Sequence, residues 1–508
     1  VLFINPSSSR KVYQDLAADY TAIETPTWAL LLAQSCRSVG YNVGILDADA
    51  ERFDDAYVAK RVAALDPKLA CFVVYGQNPN SGATNMAGAV SAANEIKRTD
   101  PDRAVGLVGS YVQALPFEVL RNEPSFDIVF ANEGVYSLWN LLAKPNLLDK
   151  RSLLDVKGIG FMLDGEPHMT SPERVVPQGK MDDHLPGYAW DLLPYREHPL
   201  DLYRSHFWHA EYDHSKRSPF AALYTSLGCS FKCSFCMINI INRNDNDEVG
   251  VASNYAGMRF WSPEFIINEF DKLYSMGVRT LRISDEMFLL NKKYYVPLCE
   301  MLRDRGYGKD LKMWAYSRID TVKDPQNLKI IRDAGIRWLC LGIEAAERTV
   351  RLEATKGKFE DIDIVNLIKM VHDADIEVIA NYMFGLPKET HASMQKTLDL
   401  SKELCTSAWN AYAAMALPGS RLYRDAQEAG LKLPQRYEDY SFLSYETLPL
   451  PTNELTSAEI LRFRDSSWHE YHSYSPFLER VEQRFGQVAR RNVEEMSKIK
   501  LRRRLLGD

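Results

Sequence analysis

Ala221-Ala222-Leu223-Tyr224-Thr225-Ser226-Leu227-Gly228 leads without a break into Cys229-Ser230-Phe231-Lys232-Cys233-Ser234-Phe235-Cys236. The first eight residues are largely apolar and end on glycine, which predicts a strand that stops at a turn. The second eight hold three thiols at a C-x3-C-x2-C spacing. Three thiolates on one loop can bind three irons of a cubane cluster and leave the fourth open to an exogenous chelating ligand. That is a catalytic arrangement. A zinc site would need a fourth thiolate or a histidine close by, and the next cysteine is Cys299. Zinc or a chance grouping are the bland alternatives.

Downstream, strand patterns at 280–284, 312–317, 338–343, 378–383 and 409–416 alternate with helical patterns at 263–275, 294–305, 325–334, 362–373 and 394–404. With the first strand they make six β/α units, a partial parallel barrel whose function belongs at the carboxyl ends of its strands. Those ends carry Ser284-Asp285-Glu286, then Arg318 and Asp320, then Gly342-Ile343-Glu344, Gly385-Leu386-Pro387 and Leu417-Pro418-Gly419-Ser420. Each alone reads equally as a turn or a helix cap.

In this order behind the cysteine loop, the motifs resemble those of the radical S-adenosylmethionine enzymes. The resemblance implies that Cys229, Cys233 and Cys236 hold a [4Fe-4S] cluster whose open iron is chelated by S-adenosylmethionine, which is then split to a 5′-deoxyadenosyl radical. It implies that Phe235 shields the cluster. Ser284, Asp285 and Glu286 stand where relatives bind the methionine amino group, without the usual paired glycines. By the same resemblance Glu344 lies near the ribose and amino group and Leu386 on the adenine-side loop, with Arg318 and Glu344 holding the nucleoside cofactor.

Upstream, strands at 1–6, 42–47, 69–75, 104–109 and 127–130 alternate with helices at 27–39, 54–64, 81–97 and 116–122. This predicts a doubly wound parallel sheet with ligands at its carboxyl ends. No G-x-G-x-x-G follows the first strand, so a dinucleotide is not indicated. The uncharged loop 76–84 suits either a large neutral ligand or a helix cap. A doubly wound domain before a radical domain resembles the cobalamin-dependent radical S-adenosylmethionine enzymes. The resemblance implies cobalamin bound by Asn5, Asp49, Tyr75, Gly76, Gln77, Asn78, Gly109, Ser110, Glu133 and Gly134. It departs at Ser110-Tyr111-Val112 and Ala131-Asn132-Glu133-Gly134, where relatives more often have Gly-x-His and Gly-Glu-Gly. No histidine precedes His168, so this domain offers cobalt no imidazole, and the resemblance implies a cofactor held base-off, without its own base on cobalt.

The whole chain has 508 residues, too many for one ordinary core. We expect an α/β protein: a cobalamin-binding domain at 1–140, a proline-broken connection at 141–220, the partial barrel at 221–425 and a mainly helical capping region at 426–508. A net charge of −7 argues against a general nucleic-acid binder. No apolar run is long enough for a membrane span, and the first residues read as a strand, not a leader, so a cytoplasmic monomer is expected. Two functions stay open: methyl transfer to an unactivated carbon, or to phosphorus, of a small molecule or peptide, and cyclisation, ring contraction or oxidation without methyl transfer. Either needs an external one-electron reductant such as flavodoxin or ferredoxin.

Overall fold

Runs such as Ala70-Cys71-Phe72-Val73-Val74 are buried on both faces, as strands covered by helices on each side must be. The computed structural model describes residues 1–75, 79–195, 202–241, 243, 256–355, 359 and 361–508. Its first sheet contains β1 (Leu2–Asn5), β2 (Gly44–Asp47), β3 (Ala70–Val74), β4 (Val105–Gly109), β5 (Ile128–Phe130), β6 (Ile159–Leu163) and β7 (Glu166–Met169), in the order β2-β1-β3-β4-β5-β6-β7. The first five are parallel, and the crossover helices include Thr27–Ser38, Asp55–Leu65 and Gly82–Thr99. The turn at Asp164-Gly165 closes a hairpin whose first strand pairs antiparallel with β5. The sheet therefore runs on past residue 140 into the region read as a connection.

The helix Gly82–Thr99 packs closely enough on that sheet to demand glycine. A Cβ on Gly82 would lie 2.0 Å from Ser110 Oγ, and one on Gly109 would lie 2.3 Å from the Val74 carbonyl oxygen. The carboxyl ends of β3 and β4 thus meet the start of the helix Gly82–Thr99 backbone to backbone.

The segment predicted as the first barrel strand is broken in two. β8 (Phe220–Leu223) joins the second sheet, and β9 (Ser226–Leu227) turns away to pair antiparallel with β10 (Arg259–Phe260). The break has a cause far away in sequence. The Tyr224 amide donates to the Tyr188 hydroxyl (2.7 Å), and the Thr225 amide donates to Asp285 Oδ1 (2.6 Å), so neither is left for a ladder. β11 (Thr280–Ile283), β12 (Lys312–Arg318), β13 (Ile336–Glu344), β14 (Glu377–Phe384) and β15 (Ala408–Ala413) follow, all parallel, in the order β15-β14-β13-β12-β11-β8. This is the expected six-unit partial barrel.

An open barrel has two edges to satisfy. At β8, Thr25 of the first domain accepts from the Ala222 amide and donates to the Ala222 carbonyl, both at 3.0 Å. At β15, Arg464 of the helix Ser457–His472 donates Nε to the Ala411 carbonyl (2.9 Å). That helix starts at a Thr456–Glu459 capping box, a reciprocal pairing of cap and third residue. Two buried ion pairs tie the sheets together: Glu24 to Arg282 on β11, and Glu133 to Arg259 on β10. Among the described residues no helix is long and apolar enough to cross a membrane.

Candidate active site

The cysteine loop is held at both ends and in its middle. Gly228 turns it at φ +91°, a conformation glycine adopts without strain. Asp285 accepts from Thr225 Oγ1 and Ser226 Oγ (both 2.6 Å), fixing the residues just before it. Ser234 donates its amide to Ala354 (2.8 Å) and accepts from the Leu422 amide (2.9 Å). Asn80, from the first sheet, accepts from the Met237 amide (3.2 Å) and places Nδ2 3.6 Å from Cys236 Sγ.

Cys229, Cys233 and Cys236 all line one cavity of about 810 Å³ between the two sheets. Burial pushes the Cys229 thiol up to about 12 and raises Cys233 and Cys236 as well, so positive charge must be brought in to keep them as thiolates. Among the described residues no three His, Cys, Asp or Glu side chains converge on a single ion. A cubane needs no such convergence, because each thiolate binds a different iron and the donors surround a volume. The residues present fit a [4Fe-4S] cluster.

Five of the residues proposed for the nucleoside cofactor line the same cavity: Phe235, Ser284, Glu286, Arg318 and Glu344. Glu286 Oε2 is buried without a hydrogen-bond partner, and burial raises its carboxyl to about 8. A buried acceptor left open is costly unless a donor such as an ammonium group arrives. Glu344 has φ +67° at a bulge in β13. Its carboxyl folds back over Gly342, where a Cβ would meet Oε1 at 2.6 Å. Backbone held in this region by a side chain other than glycine is strained, and such strain gathers at binding sites. Burial raises Glu344 to about 7, with the Arg318 guanidinium opposing. Arg318 grips Asp320 with two 2.6 Å bonds and stacks 3.7 Å from the Phe231 ring centre.

Among the described residues, the other proposed ones do not line this cavity. Asp285 spends both oxygens on Thr225 and Ser226, so it anchors the strand that leads into the cysteine loop. Leu386 is fully buried against Ala345, Met383 and Ala414, with Phe235 packed beside them. Glu133 is closed off by Arg259 (2.7 Å) and the Val176 amide (2.6 Å), and Gly134 begins the helix Val135–Leu142 at φ +85°. In the first sheet, Asn5 donates to Asp47 (2.7 Å), Asp49 accepts from Ser9 (2.6 Å), and Tyr75 accepts from Gln113 (2.7 Å) while stacking on Trp28. Gly109 and Ser110 are buried where β4 meets the helix Gly82–Thr99. Gly76, Gln77 and Asn78 lie outside the described residues. Sequence reasoning missed Asn80, which borders Cys236, and the polar side chains of Tyr316, Asn381, Asn410 and Tyr412 inside the barrel. Asn381 and Asn410 were detectable in principle as amides within otherwise apolar strands.

Residues 223–401 match the Radical SAM superfamily. Over 402 residues the chain is 24% identical to an uncharacterized methyltransferase of Pyrococcus horikoshii, covering 79% of this chain and 78% of that one. It is 22% identical to the anaerobic magnesium-protoporphyrin IX monomethyl ester cyclase of Cereibacter sphaeroides, over 91% of this chain and 68% of that one. Among solved structures it resembles the radical S-adenosylmethionine methyltransferase TsrM of Kitasatospora setae with cobalamin and a [4Fe-4S] cluster bound. That likeness has a TM-score of 0.62 at 16% identity and covers 85% of this chain and 79% of the other. With the cysteine loop at the open end of a parallel partial barrel, and the superfamily match across most of that barrel, residues 223–401 form a radical S-adenosylmethionine domain, a kind of domain that works with a [4Fe-4S] cluster and S-adenosylmethionine.

Proposed function

We propose that the chain is a cobalamin-dependent methyltransferase acting on an unactivated carbon, or phosphorus, of a small molecule or peptide. The observation that carries this reading is the contact between Asn80 and the cysteine loop. It puts the carboxyl ends of both sheets on one cavity, with Asn80, Ser81 and Thr84 on one wall and the three cysteines on another. When bound, the cluster supplies an electron to cleave S-adenosylmethionine, and cobalamin supplies a methyl carrier.

The chain's own residues hold and shield. Glu286 and Glu344 offer buried carboxyls to the amino and ribose groups of S-adenosylmethionine, and Phe235 covers the cluster. The neutral groups of Asn80, Ser81 and Thr84 suit a large uncharged corrin, and residues 1–140 contain no histidine that could offer it an imidazole. No side chain is assigned as acid or base, since hydrogen-atom transfer needs none. An external flavodoxin- or ferredoxin-type reductant would deliver the electron.

The test is product accounting with substrate and a strong reductant. Each methylated product should accompany one S-adenosylhomocysteine and one 5′-deoxyadenosine, and deuterium at the attacked carbon should appear in the deoxyadenosine. A second reading, cyclisation or oxidation without methyl transfer, is favoured by the match to a cyclase over most of the chain. A changed product without the mass of one added CH₂ would select it.

A further inference from the structure

The cavity beside the cysteine loop is electrically divided. Its cluster end carries Glu286 and Glu344, with Arg318 there paired to Asp320. Its far end is formed by the helix Ser457–His472, residues 499–508 and Phe442. There the cations Arg462, Arg464, Lys500 and Arg503 face the cavity against two side-chain carboxyls, Asp465 and Asp508.

These cations are of two kinds. Arg464 and Arg503 are buried and share one carboxylate, Asp465, at 2.9 and 2.8 Å. Arg464 is further fixed by the Ala411 carbonyl and by Phe442, whose ring centre is 5.2 Å away. Asp508 accepts from the Arg503 amide (2.7 Å). Arg462 and Lys500 are exposed at the edge, and neither makes an ion pair among the described residues. The field of Arg462 is felt by Glu459 one turn earlier on the helix. Phe442 touches Tyr412 (4.8 Å), and Tyr412 packs in the cluster of side chains that includes Phe235. Phe442 and Tyr412 thus join the basic end to the apolar cluster on which Phe235 packs.

Building on the methyltransferase reading, we propose that the substrate carries an anionic group, a carboxylate or a phosphate, held at this basic end by Arg462 and Lys500. The rest of the substrate would lie along Phe442 and Tyr412 toward the cluster. Guanidinium groups match both anions through paired, charge-assisted hydrogen bonds. The unpaired cations at the edge would also draw such a molecule in.

The experiment uses the full chain loaded with iron and sulfide. Benzoate, phenyl phosphate and the neutral benzyl alcohol are titrated by calorimetry into wild type and the Arg462→Gln/Lys500→Gln variant. At least one anion should bind more tightly than the alcohol, and the variant should weaken it by roughly tenfold, the scale of a lost charged contact. Which anion responds identifies the group. Iron content and S-adenosylmethionine affinity should not change, because both residues lie away from the cysteine loop. Equal binding of the alcohol, or an unaltered variant, overturns the proposal. So does a loss of affinity for hydroxocobalamin but not for cobinamide, which lacks the nucleotide phosphate, since the basic end would then serve the corrin. Wild type is also assayed for 5′-deoxyadenosine. Its absence would sink the radical reading itself, whereas its presence without anion binding would sink this subsite alone.

Discussion

Replacing Glu133 with glutamine distinguishes a cofactor ligand from an internal anchor. Glu133 lies just beyond the carboxyl end of β5, where the family resemblance puts a corrin contact. Its side chain is 1% exposed, and that of its partner Arg259 is 2% exposed. Glu133 Oε2 lies 2.7 Å from Arg259 Nη2, Oε1 accepts from the Val176 amide (2.6 Å), and Arg259 Nη1 donates to the Val176 carbonyl (2.7 Å). Glutamine keeps the shape and one acceptor but removes the charge. Arg259 then stays buried without this counter-charge, and breaking a buried pair in that way costs about 3–5 kcal/mol. Arg259 pairs across the ladder with Leu227, two residues before Cys229, so cluster retention should fall as well.

The assay is urea unfolding of wild type, Glu133→Gln, Arg259→Leu and the double variant. The double variant should lose clearly less than the sum of the singles, because removing both charges leaves neither one stranded. Single costs below about 1 kcal/mol, the range of an exposed pair, or costs that simply add, would refute the reasoning. Lost cobalamin with an unchanged unfolding curve would restore Glu133 as a cofactor contact.

Asp47 is raised to about 7 by burial, against the opposing bonds from Asn5, Ala50 and Tyr203. The folded state therefore holds this proton longer than the unfolded chain, and stability falls as pH rises from the ordinary value of 3.8 to about 7. At about 1.4 kcal/mol per pH unit the window is worth roughly 4 kcal/mol at most. Asp47→Asn should gain on wild type at pH 8 relative to pH 4, and parallel unfolding profiles for the two proteins would count against it. Asn80→Ala should lower the reduction potential of the cluster, because an amide beside a ligating sulfur stabilises the reduced state. A redox titration followed by electron paramagnetic resonance would show it, and an unshifted midpoint would remove Asn80 from that role.

Strand and helix periods carried most of the architecture, because parallel strands buried on both faces announce themselves as apolar runs between amphipathic helices. The helix Pro263–Ser275 was legible to the residue, since Ser262 caps it and Pro263 occupies its first turn. The break between β8 and β9 was not legible. It depends on Tyr188 and Asp285, which meet Tyr224 and Thr225 only in three dimensions. The hairpin at Asp164-Gly165 could be read as a turn, but its place on the edge of the first sheet is set by pairing with β5. The carboxylates divided the same way. Glu286 and Glu344 reach the cavity, while Asp49 is taken up by Ser9, Glu133 by Arg259, and Asp285 by Thr225 and Ser226. A charged residue at a strand end faces a ligand or its own loop according to partners that sequence spacing does not reveal.

The cysteine loop shows why the two sheets must act as one catalytic unit. On one flank its strand β9 is fixed by Asp285 and by β10, which is itself tied through Arg259 to Glu133 of the first sheet. On the other flank Cys236 and Met237 are met by Asn80, again from the first sheet. Residues before and after the three thiols are thus positioned in part by side chains of the other domain. Moving the first sheet would move the cysteines with it. A substrate reaching past Phe442 and Tyr412 would therefore meet the cluster and the wall formed by Asn80, Ser81 and Thr84 in a fixed relation. Two reactive groups brought to one carbon from opposite sides need such a fixed relation, because a displacement of about 1 Å between reacting atoms can cost a hundredfold in rate.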